Sequence, residues 1–133
     1  MEKRITLLLV DDEASVRRGL RMRLELEPDV EVIGEAADGA NAVRLAATLA
    51  PSVVVMDVEM PVMNGIEATS EIVSRAPGVA VVMLSMHDDP ATLRTAHDAG
   101  AAAFVAKHRM DNGLIDAIRD AARELRGATN DSE

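Results

Sequence analysis

Apolar and polar positions along the chain follow two rhythms that alternate from end to end. Ile5 to Val10 is an unbroken aliphatic run that stops at Asp11-Asp12-Glu13. From Ala14 to Leu26 the rhythm becomes helical: Val16, Leu20 and Leu24 recur on one face, while Arg17, Arg18, Arg21 and Arg23 fall largely on the other, as a solvated face does. Pro28-Asp29 ends that helix, and Val30 to Ala36 reads as a second strand. Asp38-Gly39 turns into a helix through Ala42, Val43, Leu45, Ala46 and Leu49, which Pro51 closes. The pattern repeats with a strand at Val53 to Asp57 and a helix from Gly65 to Ala76 that Pro77-Gly78 breaks. A fourth strand covers Val79 to Leu84, and Asp88-Asp89-Pro90 opens a helix that runs to Ala99 and stops at Gly100. Ala102 to Ala106 is a short fifth strand, and Met110, Leu114, Ile118 and Leu125 mark a last helix.

Continuous β-branched and aliphatic runs, rather than alternating ones, suit strands buried on both faces, and these occur in parallel sheets covered by helices. Right-handed crossovers then place helices on both sides of the sheet. The pattern therefore predicts an α/β fold, a doubly wound parallel sheet of five strands in a three-layer α/β/α sandwich. One domain spans residues 1–126, and the small polar stretch 127–133 reads as a flexible tail or the start of a linker.

Composition narrows the function classes. A chain of 133 residues with 48% hydrophobic and 28% charged residues is a single globular unit. Phe104 is the one aromatic residue, so aliphatic and Met side chains must fill the core. No cysteine is present, which removes disulfides and thiolate metal sites and fits a reducing compartment. No stretch reaches membrane-spanning length. A net charge of -9 argues against nucleic-acid binding by these residues, because phosphate neutralisation needs clustered Lys and Arg.

The candidate chemistry lies at the strand ends. Val53 to Met56 stops at Asp57, just before Met60-Pro61-Val62-Met63-Asn64-Gly65. Ligands bind at the carboxyl edge of open α/β sheets, so an acid there is placed for chemistry. An Asp ahead of a Pro-Gly turn also serves as plain turn chemistry, and this strand alone leaves the two readings level. The other strand ends add Asp11 and Asp12, Ser85 and Lys107. Two unit charges ~4 Å apart repel by roughly 4 kcal/mol at an effective dielectric of ~20, so neighbouring carboxylates there call for a cation. Oxygen-only ligands favour a hard ion such as Mg²⁺. A Lys ammonium and a Ser hydroxyl facing the same point suit a tetrahedral anion, which together describe phosphoryl transfer to an Asp carboxylate.

Val10-Asp11-Asp12, Asp57-x-x-Met60-Pro61-x-Met63-Asn64-Gly65, Leu84-Ser85 and Gly100-Ala101-x-x-Phe104-x-x-Lys107, in this order, resemble the receiver domain of two-component response regulators, over about Ile5 to Arg126. The resemblance implies a flavodoxin-like (CheY-like) sheet of order 2-1-3-4-5. It implies Asp57 as phosphoacceptor from a histidine kinase and Mg²⁺ held by Asp12, Asp57 and the backbone carbonyl of Glu59, with Asp11 acting through water. Ser85 and Lys107 would contact phosphoryl oxygens, and Ser85 and Phe104 would act as the switch. It also implies a cytoplasmic protein, a homodimer on phosphorylation, and no enzymatic role beyond its own phosphorylation and dephosphorylation.

His108 stands after Lys107 where many receivers have Pro, and Met86 where Ala or Gly is usual. With Ser85-Met86-His87-Asp88, these resemble the LuxR-type (NarL-like) branch, whose receivers are joined to a helix-turn-helix DNA-binding domain; a stand-alone regulator is the alternative. Simpler roles stand beside each assignment. Asp11 suits a helix cap, Ser85 a strand end, Lys107 the surface and Phe104 the core. Glu59 and His87 suit exposed loops, or they tune hydrolysis of the phosphoaspartate; Arg17 and Arg21 suit solvent, or a kinase-docking face. His87, His97 and His108 lack zinc-ligand spacing. A Mg²⁺-dependent phosphohydrolase would place its nucleophile in Asp-x-Asp after strand one, and a flavin module would need a phosphate loop where Asp11-Asp12-Glu13 repels anions.

Overall fold

A computed structural model describes the backbone of residues 4–131 and the side chains of 4–108 and 113–124. Five strands alternate with five α-helices: β1 (Ile5–Val10), α1 (Ala14–Leu24), β2 (Val30–Ala36), α2 (Gly39–Leu49), β3 (Val53–Asp57), α3 (Gly65–Arg75), β4 (Ala80–Ser85), α4 (Pro90–Asp98), β5 (Ala103–Ala106) and α5 (Met110–Asp131). All strands are parallel, in the order β2-β1-β3-β4-β5. This is the doubly wound architecture that the alternation predicts.

The uniform apolar runs are explained by a core on each side of the sheet. In β1, Leu7 and Leu9 face α1 and α5, where they meet Leu20, Leu24, Leu114 and Ile118. Leu8 and Val10 face α2, α3 and α4, where they meet Ala46, Ile72 and Ala96. Each fully buried Leu contributes on the order of 1.5–3 kcal/mol, so a strand flanked on both sides gains from every residue and tolerates no polar alternation.

Local chemistry sets the helix starts. Asp38 caps α2 through the Asn41 N–H, and Asp89 caps α4 with Pro90 as its first residue. Asn64 and Glu67 form a capping box on α3. Helix α1 ends at Leu24, two residues short of Leu26, because Glu25 already closes the turn through its N–H to Arg21 and Leu26 is left exposed. Helix α5 departs further from expectation: its backbone is helical to Asp131, where the polar composition from Gly127 predicts an irregular tail. Residues 132–133, and the side chains of Met110 and Leu125 that help predict this helix, lie outside the described residues. Arg119 ties α5 to the loop before β2, with Nε 2.9 Å from Asp29 and Nη2 2.8 Å from Glu27. Among the described residues no helix is long and apolar enough to cross a membrane.

Gly65 positions the site. A Cβ there would overlap the Asp57 carbonyl and lie 2.9 Å from Val58 Cα, so only glycine lets the first turn of α3 pack against the strand that ends in Asp57. Gly65→Ala is expected to lower unfolding free energy by about 1–3 kcal/mol, as overpacking does. Urea titration followed by circular dichroism measures it, and an unchanged midpoint contradicts the close approach.

Candidate functional site

Strand register gathers the polar strand ends at one edge. Val10 pairs with Met56, so Asp11 and Asp57 follow side by side, and the row continues from Asp57 through Leu84 to Val105. Alternation then sorts the side chains. Asp11, Asp57 and Lys107 continue the positions of Leu9, Val55 and Val105, which face α1 and α5. Ser85 and Phe104 follow the opposite parity, that of Met83, toward α2, α3 and α4.

The first set forms a compact charged cluster. Lys107 Nζ lies 3.1 Å from Asp57 Oδ1 and 3.4 Å from Asp11 Oδ2. Asp11 and Asp57 are 1% and 2% exposed, so water screens them little. Asp12 is exposed at the rim, and Asp11, Asp12 and Asp57 each offer a carboxylate oxygen within 4.8 Å of the others. Burial first, and then the Asp11 carboxylate, push Asp57 up to about 6; Lys107 opposes them and does not prevail. Burial alone would lower Lys107, but Asp57 and Asp11 outweigh it and hold the ammonium protonated. Asp11 does not cap α1, whose N-cap position is Glu13 and carries no side-chain cap; its Oδ1 instead accepts the Glu13 N–H at 2.9 Å in the turn ahead of the helix.

The second set is organised by Glu59. Its Oε2 accepts the Ser85 hydroxyl at 2.7 Å, and its Oε1 accepts the Met86 N–H at 3.3 Å. Ser85 Oγ accepts the His87 N–H at 3.0 Å. His87 and His108 are exposed, and Met86 is exposed beside the site. Phe104 is partly buried, and it borders a hollow of about 460 Å³ between α4 and α5 that Leu93, Ala106 and Asp116 also line.

Between the two sets runs the loop from Val58 to Asn64, which is held at both ends. Val58 N–H bonds the Leu84 carbonyl at 2.9 Å, and Gly65 N–H bonds the Val58 carbonyl at 2.9 Å. Glu59 N–H points at Asp57 Oδ1, 3.3 Å away. At its tip Val62 has φ 69° and is fully exposed, a left-handed conformation costly for a β-branched residue.

Some contacts were not legible in the pattern. Arg17 and Arg21 are not simply solvated: Arg17 Nε and Arg21 Nε hold the two oxygens of Glu35 at 2.9 Å and 3.0 Å. Arg17 Nη1 donates to the Asp11 carbonyl at 2.6 Å, bracing the loop that carries the acid pair. The helical face shows these arginines, but their partner on β2 is visible only in three dimensions. The Glu59 side chain was likewise missed as a ligand of Ser85, although its spacing of two residues from Asp57 places it at the same edge.

A doubly wound sheet of order 2-1-3-4-5 with two buried Asp and a half-buried Lys at its carboxyl edge defines the class of flavodoxin-like modules with an acidic pocket. Residues 7–119 match the response regulator receiver domain family, and the chain belongs to it. It is similar to the transcriptional regulatory protein LiaR of Bacillus subtilis, 41% identical over 119 residues, which are 90% of this chain and 56% of that protein. A protein-glutamate methylesterase/protein-glutamine glutaminase of Caldanaerobacter subterraneus is 45% identical over 108 residues, 80% of this chain and 29% of the enzyme. The solved receiver domain of the putative response regulator NarL from Mycobacterium tuberculosis superposes with a TM-score of 0.87 at 32% identity, over 92% of this chain and 98% of that one. The LuxR/NarL-type resemblance is thus shared by sequence and structure. The chain spans about half the length of LiaR, and less of the methylesterase.

The charge arrangement has a pH signature. An acid raised to about 6 from its ordinary 3.8 binds its proton more tightly when folded, so the fold weakens as pH rises from about 4 to about 6, and the full penalty persists above that. Two pKa units correspond to on the order of 3 kcal/mol. Without divalent metal, Asp57→Asn is expected to melt several degrees above the parent at pH 7.5, with the gap closing toward pH 4. Thermal melts in chelator at both pH values check this, and an Asn chain no more stable at pH 7.5 contradicts the electrostatic account.

Proposed function

We propose that Asp57 accepts a phosphoryl group from the phosphohistidine of a histidine kinase and thereby switches the surface of α4, β5 and α5. The observation that carries this reading is the salt-bridged pair of buried carboxylates: Asp57 and Asp11 share Lys107 at the edge where a receiver would work. An Asp57 oxygen attacks phosphorus as the phosphorus–nitrogen bond to the donor imidazole breaks, and the nitrogen leaves with the bonding pair. Lys107, kept cationic by the two carboxylates, faces the oxygens on which negative charge gathers.

Mg²⁺ suits the donor set. Three carboxylates supply only hard oxygen ligands, with oxygens close enough for one small ion to reach, and together they carry more charge than Lys107 neutralises. Asp12, Asp57 and the Glu59 carbonyl would hold it directly and Asp11 through water. Bound there, the ion neutralises charge on the phosphoryl oxygens. Ser85 and Phe104, on the opposite face, would answer the new anion: the hydroxyl moves toward it and the ring follows, altering the hollow beside α4 and α5.

In our reading the receiver unit signals to an output domain joined to it. Relatives named as transcriptional regulatory proteins support control of transcription through a helix-turn-helix DNA-binding domain beyond the receiver unit, which we set at residues 1–126, with phosphorylation promoting a homodimer. Receivers also occur in methylesterases, so enzymatic output exists in the family. In our reading this unit itself turns over nothing beyond its own phosphorylation and dephosphorylation, and it works in the cytoplasm.

Acetyl phosphate with Mg²⁺ is expected to add one phosphoryl group per chain, and chelator or Asp57→Asn to abolish the addition, by intact-mass spectrometry. Labelling that survives Asp57→Asn overturns the assignment. Multiple turnover of free phosphate esters would instead indicate a phosphohydrolase.

A further inference from the structure

Ser85 is fully buried, and its hydroxyl is already committed. A hydroxyl has one proton to give, and this one goes to the Glu59 carboxylate at 2.7 Å, while Oγ accepts the His87 N–H at 3.0 Å. Bonds to an ionised acceptor are about twice as strong as neutral ones. Glu59 also holds the next residue, through the Met86 N–H at 3.3 Å, so one carboxylate clamps the last residue of β4 and the first of the β4–α4 connection. The clamp arises from the loop that begins at Asp57 itself: Glu59 N–H is directed at Asp57 Oδ1, 3.3 Å away.

We infer that Glu59 is a positioning residue that latches the resting state, by competing with a tetrahedral anion on Asp57 for the single proton of Ser85. The inference rests on the phosphoacceptor reading of the pocket. With Glu59 bound, Ser85 cannot donate to a phosphoryl oxygen without giving up a charge-assisted bond. A phosphoryl group on Asp57 places negative charge near the Glu59 carboxylate and offers Ser85 a second anionic acceptor, so its arrival opposes the latch twice. The Ser85-Met86-His87 backbone is then released with the hydroxyl, and this connection leads directly into α4. The latch therefore sets the resting population of the switch, as any contact made in only one of two states does.

Removing one negative charge beside an anion site tightens anion binding for Coulombic reasons alone, so the test must separate that effect from competition for Ser85. A double-mutant cycle does so. The full chain, with Mg²⁺ and beryllofluoride as the phosphoryl mimic, is titrated as parent, Glu59→Ala, Ser85→Ala and the double variant, and affinity is read from ¹⁹F NMR. Glu59→Ala is expected to bind the mimic about tenfold more tightly than the parent, equivalent to about 1.4 kcal/mol. In the Ser85→Ala background the same substitution should gain no more than about twofold. Equal gains in both backgrounds, or no gain in either, overturn the latch while leaving the receiver reading intact. Failure of the parent to bind the mimic overturns the receiver reading and the latch with it. A second measurement needs no metal or anion: in chelator, the Met86 and His87 amides of Glu59→Ala should exchange with solvent severalfold faster than in the parent. Unchanged exchange at both amides overturns the clamp directly.

Discussion

One lysine holds the site together. Asp11 and Asp57 lie side by side and almost wholly buried, and among the described residues Lys107 is the cation that touches both. Removing either carboxylate's countercharge would leave a buried anion without compensation, which is far costlier than losing a surface ion pair. Even with Lys107 present, burial and Asp11 still raise Asp57 to about 6. The pocket is thus left short of positive charge, which is the electrostatic basis of the metal and phosphoryl roles proposed for it. The same shortage costs stability, opposed by burial in the two apolar cores on either side of the sheet.

Sheet geometry separates two tasks that the chain places at one edge. The buried carboxylates and Lys107 sit on the parity that faces α1 and α5, and the hydroxyl and the aromatic ring sit on the other. The loop from Val58 to Asn64 spans the division: its backbone starts at Asp57, and its one acidic side chain crosses to Ser85. Gly65 makes this loop short and tight by letting α3 start against the Asp57 carbonyl, and the left-handed Val62 at the tip takes up the resulting bend. An event on Asp57 therefore has a covalent path of two residues to the hydrogen bond that restrains the β4–α4 connection.

Much of this was legible before folding. Strand and helix order follow from the alternation of continuous apolar runs with helical spacing, because burial on two faces leaves no other pattern for a parallel strand. Asp11, Asp57, Ser85 and Lys107 stand out because each ends an apolar run, and parallel strands necessarily bring their carboxyl ends to one edge. Less legible were features that depend on partners distant in sequence. The helix-one arginines read as solvated, yet Arg17 and Arg21 share Glu35 and Arg17 braces the Asp11 carbonyl. The helical stretch beyond Gly127 was missed for a different reason: its composition has no apolar stripe, and backbone continuity from a packed helix carried it to Asp131.

Taken by itself, then, the sequence determined the layers, the strand ends and the set of side chains gathered at the sheet edge, since hydrophobic periodicity and the directionality of parallel strands suffice for these. Only the tertiary structure decided which of those side chains touch. Lys107 joined Asp57 and Asp11 because register and parity align them, whereas Ser85, equally placed at a strand end, was turned to the opposite face and taken by Glu59. Pairing of this kind depends on distances of a few tenths of an ångström and on which side of a pleat a residue falls. Neither is written in the composition or the spacing of the chain.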